Sequence, residues 1–253
     1  MKSITQSLWL IACGLLFMAT KATAQTEGKI TYLHKYHWTK VYSRLTYLSK
    51  EEKDRIELTS KGWDEFPGTP MKLVFDQNQS LYTYANEQGQ SEDGQWTWRQ
   101  DDYVIYRNFA QEKLIEHHEM LGRTYLLEDS LMSYNWRILN EIKDVAGYVC
   151  MKAETTDPAK NYKLTAWFAQ DIPVGIGPER YWGLPGAILE LNIDEGCVVI
   201  TAQKVELKTV ADELKLPKMK GRKIKNNDYN TLIQKHIAES IKAQRNPFWA
   251  IRY

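Results

Sequence analysis

Apolar and polar residues alternate along much of this chain. Ile30, Tyr32, Tyr36 and Trp38 share one parity, with Lys29, Thr31, Lys35 and His37 on the other. Tyr134, Trp136, Ile138 and Ile142 repeat the pattern, opposed by Asn135, Arg137 and Glu141. A period of two with one apolar face predicts half-buried strands. The same reading places strands over 71–75, 81–85, 103–109, 113–118, 124–127, 148–153, 162–169, 187–194 and 198–207. Turn formers separate many of them, as at Asp76-Gln77-Asn78, Leu121-Gly122, Asp157-Pro158 and Asp194-Glu195-Gly196. Two stretches read as helices. Ser49-Lys50-Glu51-Glu52 has the form of a capping box, with Gly62 as a stop. Tyr229, Ile233, Ile237 and Ile241 recur every fourth residue, as on an amphipathic helix laid over a sheet. The expectation is a mainly β (α+β) chain, an antiparallel sheet with one or two covering helices.

The first residues break the alternation. Lys2 precedes an apolar run from Leu8 to Ala19, and Ala22-Thr23-Ala24 leads into polar Gln25. That order is the secretory-signal pattern, and the run is too short for a membrane span. Residues 1–24 are therefore expected to be cleaved after Ala24, placing the protein in the periplasm or outside the cell. Leu10-Ile11-Ala12-Cys13 also resembles a lipobox, the less favoured route of processing. The remainder, 25–253, shows no linker and no internal repeat, so it reads as a single β domain. Cleavage removes Lys2 and Lys21 but no acid, turning 33 basic against 32 acidic residues into 31 against 32. A near-neutral chain has no general attraction for nucleic acid. Cys150 and Cys197 remain, either bonded to each other, as an oxidising compartment allows, or as two buried thiols.

The most unusual segment runs from Trp167 to Leu191, WFAQDIPVGIGPERYWGLPGAILEL. Asp171-Ile172-Pro173 ends a strand, because proline brings no ladder donor. Gly175, Gly177 and Pro178 demand an irregular loop that carries Tyr181 and Trp182. Gly183-Leu184-Pro185-Gly186 forms a tight turn in which Gly186 supplies a positive φ if the turn is type II. The reading is strand, structured loop, sharp turn, strand. This segment resembles the GLPGLI family of exported bacterial proteins, with Ala187 in place of the usual leucine. Ala166-Trp167-Phe168, Ile172-Pro173 and Gly177-Pro178 also fit, as do Trp136-Arg137-Ile138 and the stretch from Gly147 to Ala153. The resemblance implies export to the envelope and brings no reaction. By analogy it implies a LolA-like half-barrel, a curled sheet around an apolar concavity.

Candidate chemistry is sparse. His117 and His118 lie between Glu116 and Glu119, but neighbours on a strand face opposite ways, so only Glu116 and His118 can act together. No zinc-type spacing, nucleophile elbow or phosphate loop is present, and no cofactor is expected. Asp171 is the best polar candidate in the motif. Lys215, Lys218, Lys220, Arg222, Lys223 and Lys225 form an acid-free basic run, either a solvated loop or a peripheral contact with anionic lipid headgroups. Tyr32, Tyr36, Trp38, Trp136 and Tyr162 either fill a core or line a cavity. The leading expectation is a non-catalytic module that binds a lipid-like or other apolar ligand, or an outer-membrane or periplasmic protein. Its candidate binding loop is Trp167, Asp171, Ile172, Pro173, Gly177, Pro178, Tyr181, Gly183, Leu184, Pro185 and Gly186. The alternatives are a secreted carboxylate- or metal-dependent hydrolase and a structural module of an envelope complex.

Overall fold

The computed structural model describes residues 26–91 and 94–253. The signal reading over 1–24, with Cys13 and the cleavage site after Ala24, lies outside them. The strands are β1 (Gly28–Tyr36), β2 (Thr69–Phe75), β3 (Gln79–Tyr84), β4 (Gln88–Gln90), β5 (Thr97–Arg99), β6 (Tyr103–Asn108) and β7 (Lys113–Met120). They continue as β8 (Arg123–Ser130), β9 (Arg137–Val145), β10 (Tyr148–Thr156), β11 (Lys163–Ala169), β12 (Ala187–Ile193), β13 (Val198–Leu207) and β14 (Arg222–Ile224). The helices are α1 (Trp38–Ser43), α2 (Lys50–Thr59), α3 (Lys61–Glu65) and α4 (Asn226–Lys242).

Twelve strands form one open, curled sheet, ordered β14-β8-β7-β6-β3-β2-β1-β13-β12-β11-β10-β9. Its pairs are antiparallel except β14 with β8. The expected fold class therefore holds. β1 joins two meanders by pairing with β2 on one side and β13 on the other. Register irregularities at Thr31/Tyr32, Met151/Ala153 and Trp167/Phe168 add bend to the sheet. One cross-strand row runs Ile30, Leu73, Tyr82, Ile105, Glu116, Leu127, and every member is fully buried. Five of the six are expected there from their parity. Glu116 is the exception.

The concave side of the sheet is filled by the chain itself. Helix α4 contributes Ile233, the C-terminal tail contributes Phe248, Ile251 and Tyr253, and the 170–186 loop contributes Ile172, Ile176, Tyr181 and Leu184. Tyr32 is fully buried, and Tyr162 stacks on Tyr253 with centroids 4.7 Å apart. A smaller cluster of Val74, Leu81, Val210 and Leu214 packs separately.

Several details differ from the sequence reading. Trp38 starts α1 instead of ending β1. The capping box at Ser49 forms as expected, but α2 stops at Ser60 and Gly62 lies inside α3. Ile138 and Ile142, expected on a buried face, are exposed and join neither apolar cluster. The last turn of the motif also works differently. Gly186 does not take a positive φ; Gly183 does, at +94°. Gly186 is required by space, since a Cβ there would sit well inside contact distance of the Ala169 carbonyl.

Cys150 and Cys197 are free, buried thiols, so the disulfide alternative gives way to the thiol one. Cys150 lies on β10 and Cys197 precedes β13, with β11 and β12 between them. Three strand spacings of ~4.8 Å far exceed the ~7 Å between Cα atoms that a bridge tolerates. Burial pushes the Cys150 thiol up to about 11 and raises that of Cys197 as well. Neither is expected to react with a thiol reagent at neutral pH until the protein is unfolded in urea. Rapid labelling of either thiol in the native protein would contradict this.

Candidate functional site

The loop between β11 and β12 is held by backbone bonds before any side chain acts. Ala187 N donates to Ile172 O at 3.0 Å, Ile188 N to Ile176 O at 2.9 Å and Gly183 N to Gly175 O at 3.0 Å. The loop therefore folds back along the start of β12 and carries Glu179 and Arg180 over the concave face. Gly186→Ala is expected to cost about 3 kcal/mol, because the new methyl meets a backbone carbonyl that cannot rotate away. Gly183→Ala, in open space but at positive φ, should cost roughly 1–2 kcal/mol. Urea midpoints of the two variants check the ordering; equal costs would remove the close-approach role of Gly186.

Two buried carboxylates organise the space beneath the loop. Glu116 Oε1 accepts from Arg180 Nε at 2.8 Å, and Glu116 Oε2 bonds His118 Nε2 at 2.9 Å. Arg180 also donates to Asn226 and Asn230 of α4 and covers the Tyr229 ring at 4.8 Å. Glu179 Oε1 accepts from Arg252 Nη2 at 2.7 Å, and its Oε2 accepts from the Tyr103 hydroxyl. The backbone carbonyl of Glu179 accepts from Arg107, which is fully buried. The guanidinium of Arg252 lies 3.8 Å from the centre of the Tyr103 ring. Tyr181 donates to Asp157 Oδ2 at 2.7 Å, and Tyr253 to Asp194 Oδ2 at 2.5 Å. Glu179 itself sits at φ +54°, a conformation that costs roughly 1–3 kcal/mol and persists where neighbours impose it.

The electrostatics hold both carboxylates ionised and His34 neutral. Burial pushes the Glu116 carboxyl up, but Arg180 and His118 outweigh it and leave its pKa lowered to about 2. Glu179 is likewise lowered, with burial opposed by Arg252, His34 and Tyr103. His34 is pushed down to about 3 by burial and by Arg252, so its 3.6 Å approach to Glu179 is made by a neutral imidazole. Lys160, pushed down to about 8 by burial, donates to the Arg252 carbonyl at 2.9 Å. A general acid needs a proton at working pH and a general base a pKa near it. Neither carboxylate meets either condition. One Glu116 oxygen is taken by His118 and the other by Arg180, so the pair is tied up within the chain. Among the described residues no group of three or more His, Cys, Asp or Glu could hold a metal ion.

The cavity left among His34, Asp157, Lys160, Glu179, Arg180 and Arg252 measures about 50 Å³. That is room for one or two waters, which need ~30 Å³ each in the liquid. The arrangement therefore works as a lock: it fastens the loop through Glu179 and Arg180, helix α4 through Asn226 and Asn230, and the tail through Arg252.

The motif residues named from sequence divide between this lock and its surroundings. Tyr181 and Leu184 are buried beneath the loop, as are Ile172, Gly177, Pro178 and Gly186. Arg107 also approaches the Gly177 carbonyl, at 3.5 Å. Asp171, Pro173, Gly183 and Pro185 are exposed. Trp167 on β11 pairs with Lys152 of β10 and lies under the Lys143 ammonium, 4.6 Å away, outside the cavity. Glu179, Arg180, Arg107 and Arg252 are absent from the sequence-derived set. Parity could have found Arg107, since it shares the buried parity of its strand with Tyr103 and Ile105. The adjacent charges of Glu179-Arg180 inside an apolar loop were a second signal.

Comparison with known proteins adds the following. A family model described as "Protein of unknown function (Porph_ging)" matches residues 157–190, the segment that holds the motif loop. No curated protein matches significantly. Solved structures of PNGF-II in the P21 and C2 space groups are similar in fold, with TM-scores of 0.52 and 0.50 and 14% sequence identity. Each comparison covers 81% of this chain and 32% of PNGF-II, so the chain spans about a third of that protein.

Proposed function

We propose that this chain is an exported envelope protein of the GLPGLI family that acts as a non-catalytic binding module. The observation that carries this reading is the mutual neutralisation of the buried charges. Every carboxylate beneath the motif loop is engaged by an arginine, a tyrosine or a histidine of the same chain. Such a constellation holds a shape; it does not turn over a substrate. Binding then falls to the outer surface and rim of the curled sheet, since the chain fills its own concavity. A protein or ligand of the periplasm is the expected partner. The basic run is exposed at Lys215, Lys218, Lys220, Arg222, Lys223 and Lys225, which suits peripheral contact with anionic headgroups.

The test is purification from a fractionated native host, with sequencing of the N-terminus and mass spectrometry of what is retained. The reading expects a chain beginning near Gln25, in the periplasmic or envelope fraction, carrying a partner or ligand. Recovery from the cytoplasm with residues 1–24 intact would overturn the export claim. Turnover of a substrate that is lost in Glu116→Gln would overturn the non-catalytic claim.

A further inference from the structure

Beyond the lock, the rim of the sheet carries an open groove of different chemistry. It has two adjoining compartments of about 400 and 470 Å³, each within the range of roughly 300–1,000 Å³ typical of ligand sites. Thr69, Tyr84 and Asp101 line both compartments and so join them. An aromatic face stands at each end.

At one end Tyr36, Trp38 and Trp249 are piled in parallel. Tyr36 and Trp38 have centroids 4.9 Å apart at 10°, and Trp38 and Trp249 4.8 Å apart at 15°. Trp249 is outermost and remains 64% exposed. It is fixed in place by a short 3₁₀ turn, Pro247–Trp249, capped by the Asn246 side chain. Three residues later Arg252 is anchored on Glu179, so the lock also sets the position of this platform. At the other end Trp98 lies flat on the β4–β5 hairpin, because Gly89 opposite it has no side chain. Trp98 is 49% exposed, with Phe66 beside the same compartment. Between the ends the lining is rich in amides and hydroxyls, including Asn86, Gln88 and Gln100.

We infer that this groove binds a neutral oligosaccharide chain. The inference rests on the binding-module reading and supplies its ligand class. A pyranose ring presents a face of slightly positive C–H groups, which complements the negative face of an indole. Its hydroxyls both donate and accept, as do side-chain amides, while a carboxylate such as Asp101 accepts. Other ligand classes fit less well. An anionic ligand would need cations, yet Arg99 is engaged by Glu119 at 2.9 Å and Arg252 by Glu179 at 2.7 Å. A lipid chain would strip water from the amides without replacing their hydrogen bonds. A quaternary ammonium prefers aromatic faces converging as a cage, whereas these are stacked as a slab or set at opposite ends.

The test is titration of the full chain with maltohexaose, cellohexaose, mannohexaose and N-acetylchitohexaose, followed by tryptophan emission and calorimetry. At least one is expected to bind with a millimolar or tighter dissociation constant and to change the emission. Trp249→Ala and Trp98→Ala should each weaken that binding about tenfold or more. Neither side chain belongs to the core, so both variants should fold, with urea midpoints lowered only slightly by the lost ring contacts. Binding of none of the four, or binding unchanged in both variants, overturns the inference. Preference for a heparin hexasaccharide over all four also overturns it. Binding accompanied by cleavage of the chain supports the groove and instead overturns the non-catalytic reading, so the two failures are told apart.

Discussion

Glu179→Ala is expected to destabilise the protein by about 3–5 kcal/mol, the usual cost of removing one partner of a buried ion pair. The carboxylate is 9% exposed and is shared by Arg252, Tyr103 and His34. Its loss leaves the Arg252 guanidinium on the Tyr103 ring without a counter-charge and the Tyr103 hydroxyl without an acceptor. The backbone bond from Arg107 to residue 179 survives, because it uses the main-chain carbonyl. The damage should therefore concentrate in the tail. Hydrogen exchange is expected to show Ile251 to Tyr253 losing protection while β10 to β12 keep theirs. A variant within about 0.5 kcal/mol of wild type, the range of ordinary surface changes, would mean that the pair is not holding the tail.

Acid is the second strong lever. The folded protein keeps His34 neutral down to about pH 3, whereas an unperturbed histidine takes up a proton near 6.5. Between those values the unfolded chain binds the extra proton, so stability is present above pH 6.5 and is lost as the pH falls towards 3. At 1.36 kcal/mol per unit, the loss from this residue reaches about 2 kcal/mol by pH 5. Glu116 adds to it from about pH 4.5 downwards, since its folded pKa of about 2 also lies below its ordinary value. Its contribution is complete above pH 4.5 and disappears as the pH passes through 2. Urea unfolding at pH 7.5, 6, 5 and 4 should show a steady fall, and His34→Gln should flatten the curve between 6.5 and 4.5. A flat wild-type curve over that window would contradict the burial of a neutral His34.

The sheet was legible because its signal is local. Alternation along β1, β6 and β13 reports the pleat directly, and the motif glycines and prolines mark the one long irregular connection. The β10-β11-β12-β13 meander follows from short turns. The insertion of β1 between β2 and β13 does not, since Ile30 meets Leu73 and Val205 from far along the chain. Parity places Trp38 on β1, but α1 begins there. Ile138 and Ile142 have the alternation of a buried face, but alternation does not say whether a layer packs over that face, and here they stay exposed.

The site was less legible, and for a physical reason. A lock between Glu179 and Arg252 joins residues 73 positions apart, and nothing in the motif around Glu179 points to its partner in the tail. Parity places a side chain on a face but does not say what covers that face. Glu116 read as a catalytic candidate because a carboxylate and a histidine shared a strand face. The third member, Arg180, arrives from the loop and converts a possible acid–base pair into a fixed anion. The motif itself acts mainly through backbone: Gly186 lets the loop approach Ala169, and the loop then delivers Glu179 and Arg180. The exposed Asp171, the polar residue that stood out in the sequence, takes no part in the cavity.

A double-mutant cycle on Glu179→Gln and Arg252→Met, read as unfolding free energy in urea, tests the lock most directly. If the pair fastens the tail to the loop, each single change should be costly and the double change should cost clearly less than their sum. A coupling of about 1–3 kcal/mol is expected for a buried, hydrogen-bonded pair. Additive costs within about 0.5 kcal/mol would show that loop and tail are held independently, and the account of this site as a lock would be wrong.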